Sequence, residues 1–485
     1  MKLVNSQQMY ALEKQAEDMG ISTLVLMENA GVKMAEYILN NTDFTHIVVV
    51  CGGGNNGGDG FVVARQLFLA GKNVSIFKAF KEEKLTENAL INYNIVKNLN
   101  IKFVKEKDLY TCDLIVDCLL GIGVKGSVRD DIADIIDSIN DSKAYVISAD
   151  MPSGICADTG KICKNAVKAD ETIIMGYGKT GLFTGAGYAY SGKKTVISIS
   201  IPKAHDTGYY LTDEKCLEKW QVKSTPLDNK GTNGTVGIVA GGKGMTGAAA
   251  LSALGALRSG AGIVKVLVPE NLCDILETKV TESITVPLDC QDFLDEKGAL
   301  QVIEYAKNLS VLAIGPGLGR SDKTIAAVNK ILKNVNIPVI IDADGIYGVS
   351  RNINILKETE SNVILTPHPG EFSFLTGLTV EEIEADRINL AKKFASDYNV
   401  TLLLKGAGSV IATPDGEVYI NPTGNEGMAK GGSGDVLTGI ISAVMAKGCE
   451  NPAAFGAYLH GRAGDKAEKA LGKTAMLPSD ILKFL

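Results

Sequence analysis

The chain has 485 residues, 53 of them glycine, with 45% apolar content and a formal net charge of −7. That length is too great for one ordinary core and predicts two or three domains, and the negative charge argues against a nucleic-acid or anionic-membrane surface. No apolar run approaches the ~20 residues that span a bilayer, no signal-type apolar stretch opens the sequence, and the nine cysteines show no zinc-type spacing, so a cytoplasmic protein with reduced thiols is expected.

In chain order, β-branched runs at 46–50, 73–77, 114–118, 145–149, 171–175 and 195–199 read as strands. Helical patterns at 61–70 and 127–139 lie between them. Strands spaced by helices predict βαβ units and a mostly parallel sheet. Residues 205–226 carry mixed charge without a period, and the domain boundary is placed there, giving domains 1–210 and 220–485. The alternation then restarts, with strands at 235–240, 262–268, 311–314, 339–342, 363–365 and 401–404. A helix of small residues is expected at 247–259 and an apolar one at 436–446. The fold class is therefore α/β, as two layered domains.

The strand at 46–50 runs into a ten-residue segment, 51–60, holding six glycines, Asn55, Asn56 and Asp59. It reads as a turn that brings backbone donors close to a phosphate. The amide and carboxyl oxygens could serve a cation, a sugar hydroxyl or a proton. Beyond the strand at 114–118, Gly121-Ile122-Gly123-Val124-Lys125-Gly126 matches G-x-G-x-x-G. Alone that match is weak, and its mid-domain position argues against hydride transfer. Asp117 and Asp150 end two further strands, so Asp59, Asp117 and Asp150 are expected on one rim. Residues 187–194 nearly spell a P-loop, but lack the Ser or Thr and precede a strand, so that reading is rejected.

In the second half, strand ends lead into Gly241-Gly242-Lys243-Gly244, Gly315-Pro316-Gly317-Leu318-Gly319 and Thr366-Pro367-His368-Pro369-Gly370-Glu371. The small residues at 247–256 permit close approach of a ligand or of a neighbouring sheet. His368 is one of four histidines, held between two prolines. Lys405-Gly406-Ala407-Gly408-Ser409 suits a nucleotide phosphate, a lysine beside backbone donors. The most informative segment is 425–439, with five glycines and Asp435 at the start of the apolar helix. A helix start with glycines is an anion cradle. An acid there would repel an anion unless its task is to take a proton. In phosphoryl transfer an acid that accepts the nucleophile's proton is part of the machinery, with Gly431 to Gly434 as donors and Asp435 as base.

These motifs resemble a known family. GMAKGGSGDVLTG, with TPHPGE and the KG-x-x-S strand end, resembles the ribokinase-like dehydratase domain of NAD(P)H-hydrate repair enzymes. CGGGNNGGDGFVVARQL, with D-x-x-x-GIG and DMPSG, resembles their Rossmann-like, doubly wound epimerase domain. The resemblance covers nearly the whole chain. It implies interconversion of the R and S hydrates NADHX and NADPHX, and ADP-dependent dehydration of the S form to NAD(P)H, AMP and phosphate. It also implies site residues. Asn55, Asn56, Gly57, Gly58, Asp59, Gly121, Ile122, Gly123, Val124, Lys125, Gly126, Ser127 and Asp150 would bind the hydrate in the first domain, with Asp59 or Asp150 as the epimerising acid. Asn56, Asp117 and Ser153 would hold K+. In the second domain Gly317, His368 and Asp435 would contact the hydrate, and Lys405, Gly406, Ala407, Gly408, Ser409 and Gly434 the nucleotide, with Mg2+ expected beside ADP. The alternative is a ribokinase-type small-molecule hydroxyl kinase fused to a nucleotide-binding module. A homo-oligomer is expected.

Overall fold

The alternation of short apolar runs with helical segments resolves into two α/β units in the computed structural model, which describes residues 1–223 and 225–485. One unit is Lys2–Tyr209; the other is Tyr210–Leu485 together with Met1.

The first unit has one seven-stranded sheet. Its strands are β1 (His46–Cys51), β2 (Asn73–Lys78), β3 (Lys102–Val104), β4 (Leu114–Cys118), β5 (Tyr145–Ala149), β6 (Glu171–Met175) and β7 (Lys193–Ile197). Their order is β3-β2-β1-β4-β5-β6-β7, all parallel. Parallel strands covered on both faces need continuous apolar runs, and β4 and β6 are buried throughout. Ile47 and Val49 join the core on one face of β1, Val48 and Val50 the core on the other. Strand order reverses between β1 and β4, the place where such sheets open a crevice beyond their carboxyl ends. A two-residue strand, Leu3–Val4, pairs in parallel with Gly178–Lys179.

The second unit has a ten-stranded sheet. Its strands are β8 (Tyr209–Leu211), β9 (Thr235–Val239), β10 (Ile263–Pro269), β11 (Ile284–Leu288), β12 (Val311–Ile314), β13 (Val339–Ile341), β14 (Val363–Leu365), β15 (Thr401–Leu404), β16 (Ser409–Ala412) and β17 (Val418–Asn421). The order is β8-β17-β16-β15-β14-β13-β12-β9-β10-β11. Pairing is parallel from β11 to β15 and antiparallel through β16 and β17. Among the described residues no helix is long and apolar enough to cross a membrane.

Several expectations shift. The segment 55–60 is not a turn but the start of the Asn55–Leu69 helix. Its glycines serve packing: a Cβ on Gly57 would lie 1.8 Å from the Gly52 carbonyl oxygen, and one on Gly60 2.7 Å from Cys118 Cβ. The helix expected at 127–139 begins at Asp130, and the strand expected at 195–199 is Lys193–Ile197. Residues 205–226 are not featureless; they hold β8 and the Glu214–Trp220 helix. Small residues of the Thr246–Arg258 helix pack against another helix. A Cβ on Gly255 would lie 2.6 Å from the Val436 carbonyl oxygen, and one on Gly439 2.0 Å from that of Ser252. That contact seats the Ser433–Ala446 helix.

Candidate active sites

In the first unit a cavity of about 900 Å³ opens at the β1/β4 reversal. Asn55, Asn56, Asp59, Gly121, Ile122, Gly123, Val124, Lys125, Ser127 and Asp150 line it. Of the expected residues, Gly57, Gly58 and Gly126 do not; the first two are buried in helix packing. Lys78, Lys81, Lys84 and Arg129 add positive charge to the lining, suited to an anionic ligand.

The acids of this cavity differ in surroundings. Asp150 has a left-handed backbone, φ 65°, rare for a residue with a Cβ. Its Oδ1 accepts from the Met175 N–H at 2.9 Å and from the Lys179 ammonium. Lys179 is fully buried and also donates to the Met175 carbonyl at 3.1 Å. Asp59 has no hydrogen-bond or ion-pair partner among the described residues. Burial holds its carboxyl well above the usual range, and Asp150 and Glu13 push the same way, against Lys179. Glu13, from the Ser6–Asp18 helix, also lines the cavity and is raised by burial and by Asp150. Nothing in the sequence marks Glu13, which reads as one more charge on an amphipathic helix.

Asp117 lies beneath this lining, wholly buried. It accepts Ser153 Oγ at 2.6 Å, Ser148 Oγ at 2.8 Å, and the backbone N–H groups of Ser153 and Leu119 at 2.9 and 3.2 Å. Burial raises its carboxyl; the bonds from Ser153 oppose that. No lysine, arginine or histidine pairs with it among the described residues. Asn56 Nδ2 donates to the Leu120 carbonyl at 2.9 Å, and Ser153 Oγ accepts from the Leu120 N–H at 2.8 Å. So Asn56, Ser153 and Asp117 do form one group, around a single turn.

In the second unit the carboxyl ends of β13, β14 and β15 deliver Asp342, Thr366 and Lys405 to one place. Asp342 is buried and accepts Lys405 Nζ at 2.8 Å, Thr366 Oγ1 at 2.9 Å and, from the Ser433–Ala446 helix, Thr438 Oγ1 at 2.8 Å. Lys405 Nζ lies 3.7 Å from Glu371 Oε2. Burial pushes the ammonium down, but Asp342 and Glu371 outweigh it and the group ends raised. The next residue, Ala343, has φ 49°, a strained turn of the kind that clusters at functional sites.

Asp435 enters this group from the first turn of its helix, whose N-cap Gly432 has φ 103°. Its carboxyl has no hydrogen-bond partner among the described residues. Burial raises it to about 6, with Asp342 adding and Lys405 opposing. A Cβ on Gly434 would sit 3.4 Å from Lys405 Nζ and 3.6 Å from Asp342 Oδ2, so the glycine keeps that space open. Gly406 rests on Arg387, which is fully buried and donates to the carbonyls of Leu404 and Lys405 at 3.0 and 3.1 Å. Ser409 closes the loop on Gly406, its Oγ accepting from the Gly406 N–H at 3.3 Å and standing 3.1 Å from the Gly406 carbonyl oxygen. His368 caps the Pro369–Thr376 helix: its Nδ1 accepts from the Gly370 N–H at 3.0 Å, and the ring stays exposed. Gly317, φ 66°, lies against Met245.

Sequence reasoning missed Asp342, Thr366, Thr438 and His460. A strand ending in Asp342-Ala343-Asp344 was a usable signal. His460 carried none. It is buried with Nε2 lacking a partner, and burial and Lys405 lower it to about 4, so the ring is neutral. Ser433 Oγ is likewise buried without a partner.

A parallel sheet in the order 3-2-1-4-5-6-7 with a crevice lined by acids and basic residues, and a second sheet ending in a lysine, carboxylates and a glycine-opened helix, define a two-site α/β enzyme. Residues 23–181 match the family model described as YjeF-related protein N-terminus, and residues 236–485 the model described as NAD(P)H-hydrate dehydratase. The bifunctional NAD(P)H-hydrate repair enzyme of Moorella thermoacetica is 37% identical over 100% of this chain and 96% of its own length. Its counterpart in Escherichia coli K12 is 33% identical over 98% and 91%. Among solved structures, an ADP/ATP-dependent NAD(P)H-hydrate dehydratase from Bacillus subtilis, co-crystallised with ATP/Mg2+, matches with TM-score 0.50 and 32% identity. That match covers 57% of this chain and 95% of the other. The chain belongs to the bifunctional NAD(P)H-hydrate repair enzymes.

Proposed function

We propose that the unit 2–209 interconverts the R and S forms of NADHX and NADPHX, and that the unit 210–485 dehydrates the S form to NAD(P)H using ADP, releasing AMP and phosphate. The observation that carries this is Asp435: an unpartnered carboxyl raised to about 6, set at a helix start beside Lys405. The C6 hydroxyl is a poor leaving group, and phosphorylating it makes a good one. Asp435 takes the hydroxyl proton as the oxygen attacks the terminal phosphoryl group. The lysine and the helix-start N–H groups at Gly434 and Asp435 stabilise the charge of the transferred group. Phosphate then leaves C6 as the ring-nitrogen lone pair forms C=N⁺, and loss of a proton from C5 to solvent or phosphate restores the dihydronicotinamide ring of NAD(P)H. Gly317 and His368 border the hydrate, and the loop Lys405 to Ser409 holds the nucleotide. Ser433 Oγ and His460 Nε2 are polar atoms that nucleotide binding would satisfy.

Magnesium fits this site. Mg2+ binds through one or two carboxylates plus phosphate oxygens, and Asp342 and Glu371, the two acids beside Lys405, would supply them, leaving Asp435 as the base. When bound it neutralises phosphate charge. Among the described residues no three His, Cys, Asp or Glu side chains alone are set to hold a metal, so the nucleotide would complete the shell. Potassium fits the first unit. Asp117 is a buried carboxylate with no cationic partner, and buried charges are paired. With oxygens from Asn56 and Ser153 it would hold K+, which supplies that missing charge. Asp59 and Asp150 handle protons at C6, and the basic lining receives the substrate's phosphates.

The test is incubation of mixed NADHX with ADP, with ATP, or with neither, following NADH absorbance. Return of NADH with ADP and its absence without nucleotide are expected, and the ATP arm shows whether the triphosphate serves as well. No nucleotide-dependent return would overturn the reading.

A further inference from the structure

The epimerase reading leaves open which of two acids gives the proton and which takes it. Resting on that reading, we propose that Lys179 is a positioning residue of the first unit's site. Its buried ammonium holds Asp150 as the carboxylate that takes a proton and leaves Asp59, in the same cavity, as the acid that gives one.

The geometry is asymmetric. Asp150 is fixed by the Met175 N–H and the Lys179 ammonium, on a backbone bent into the left-handed region. Lys179 is wholly buried, and its second bond, to the Met175 carbonyl, points it at one target. Its position comes from the short parallel pairing of Leu3–Val4 with Gly178–Lys179, which also buries Leu3 and Val4. Removing one partner of a buried ion pair leaves an uncompensated charge, so such a pair persists as a unit. Asp59 has no cation in contact and sits near Asp150 and Glu13, both acids. Three elements bring charge to bear on Asp59: the Ser6–Asp18 helix through Glu13, the strand end of β5 through Asp150, and Gly178–Lys179 through Lys179.

The step balances without a co-reactant. C6 of the hydrate carries a hydroxyl and the ring nitrogen. Asp59 protonates the hydroxyl, the C6–O bond breaks, and water leaves as the nitrogen lone pair forms C=N⁺. Water adds to the opposite face, the C=N pair returns to nitrogen, and Asp150 accepts the surplus proton. Solvent carries that proton back to Asp59 between turnovers. The reverse direction retraces these steps.

The test uses the full chain with R-NADHX and no nucleotide, separating isomers by chromatography and subtracting the uncatalysed rate at each pH. Lys179→Gln is expected to lower kcat by about 10²-fold or more with little change in KM. Its alkaline limb moves upward, because Lys179 no longer pulls Asp59 down. Lys179→Arg, which keeps the charge, restores part of the rate and returns the limb toward the wild-type position. A Lys179→Gln enzyme whose limb stays in place, or whose kcat is within about threefold of wild type, overturns the proposal, because general acid–base roles are worth far more. If Lys179→Gln does not fold, the wild-type profile decides: epimerisation that does not fall at alkaline pH shows that Asp59 is not the acid. If the wild type dehydrates S-NADHX with ADP yet never interconverts isomers, the epimerase reading itself falls and takes this inference with it.

Discussion

At the scale of single residues, the second site turns on a carboxyl kept out of its ordinary range. Asp435 titrates near 6 instead of 3.8, chiefly through burial and Asp342. In its proposed role as base Asp435 must be ionised, so dehydration is expected to fall tenfold per pH unit below about 6, a limb that Asp435→Asn removes together with about 10²-fold or more of the rate. The same displacement has a stability consequence of opposite sense. A raised folded value means that the folded state binds the proton more tightly than the unfolded chain. That stabilisation is complete below 3.8 and is lost as pH rises through 6. Asp435→Asn is spared the loss. At pH 8 its second unit should be more stable than wild type by about 2 kcal/mol, after allowing for partial exposure. The gain should vanish near pH 3.5. Denaturant unfolding at the two pH values checks both signs. Activity and stability thus oppose each other at one side chain.

At the scale of elements, glycine does two jobs that the sequence does not separate. In 51–60 the density of glycine reads as a loop, yet from Asn55 onward it is helix. Gly57 is absent from the cavity lining and touches the Gly52 backbone instead. Gly57→Ala would place a Cβ 1.8 Å from an oxygen, and backbone cannot yield as a flexible side chain can. It should cost the first unit about 1–3 kcal/mol and displace Asn56 and Asp59, so epimerisation falls while ADP-dependent dehydration of S-NADHX is retained. Loss of dehydration as well would show that the packing account is too narrow. The same residues explain what was legible. Strands buried on both faces announce themselves by continuous apolar runs, so β1, β4, β5 and β14 could be read with little error. Edge strands such as β3 and β11, half-exposed, could not. Asp59, Asp150, Lys405 and Asp435 stood at strand ends or helix starts, where chemistry-bearing residues are conspicuous. Glu13, Lys179 and His460 depend on distant segments coming together, and local pattern carries no trace of that.

At the scale of the whole molecule, two sites with different acids imply two separable steps joined by a diffusible intermediate. With mixed R- and S-NADHX and ADP, the wild type should return all the hydrate as NADH. Asp59→Asn slows epimerisation by about 10²-fold or more. The fast return should then stop at an amplitude equal to the S fraction, followed by a slow phase set by uncatalysed interconversion. Asp435→Asn should return almost no NADH, yet still bring the isomers to their equilibrium ratio. The two variants in one tube should restore the full amplitude. S-NADHX released by one chain can be consumed by another, and its phosphoryl-driven removal pulls the R form after it. Restoration should speed up with the concentration of either variant, because the S form passes between chains through bulk solution. If the mixture stayed at the S amplitude, the intermediate would have to pass within one chain. The two activities would then have been joined for transfer between sites, not merely for joint supply.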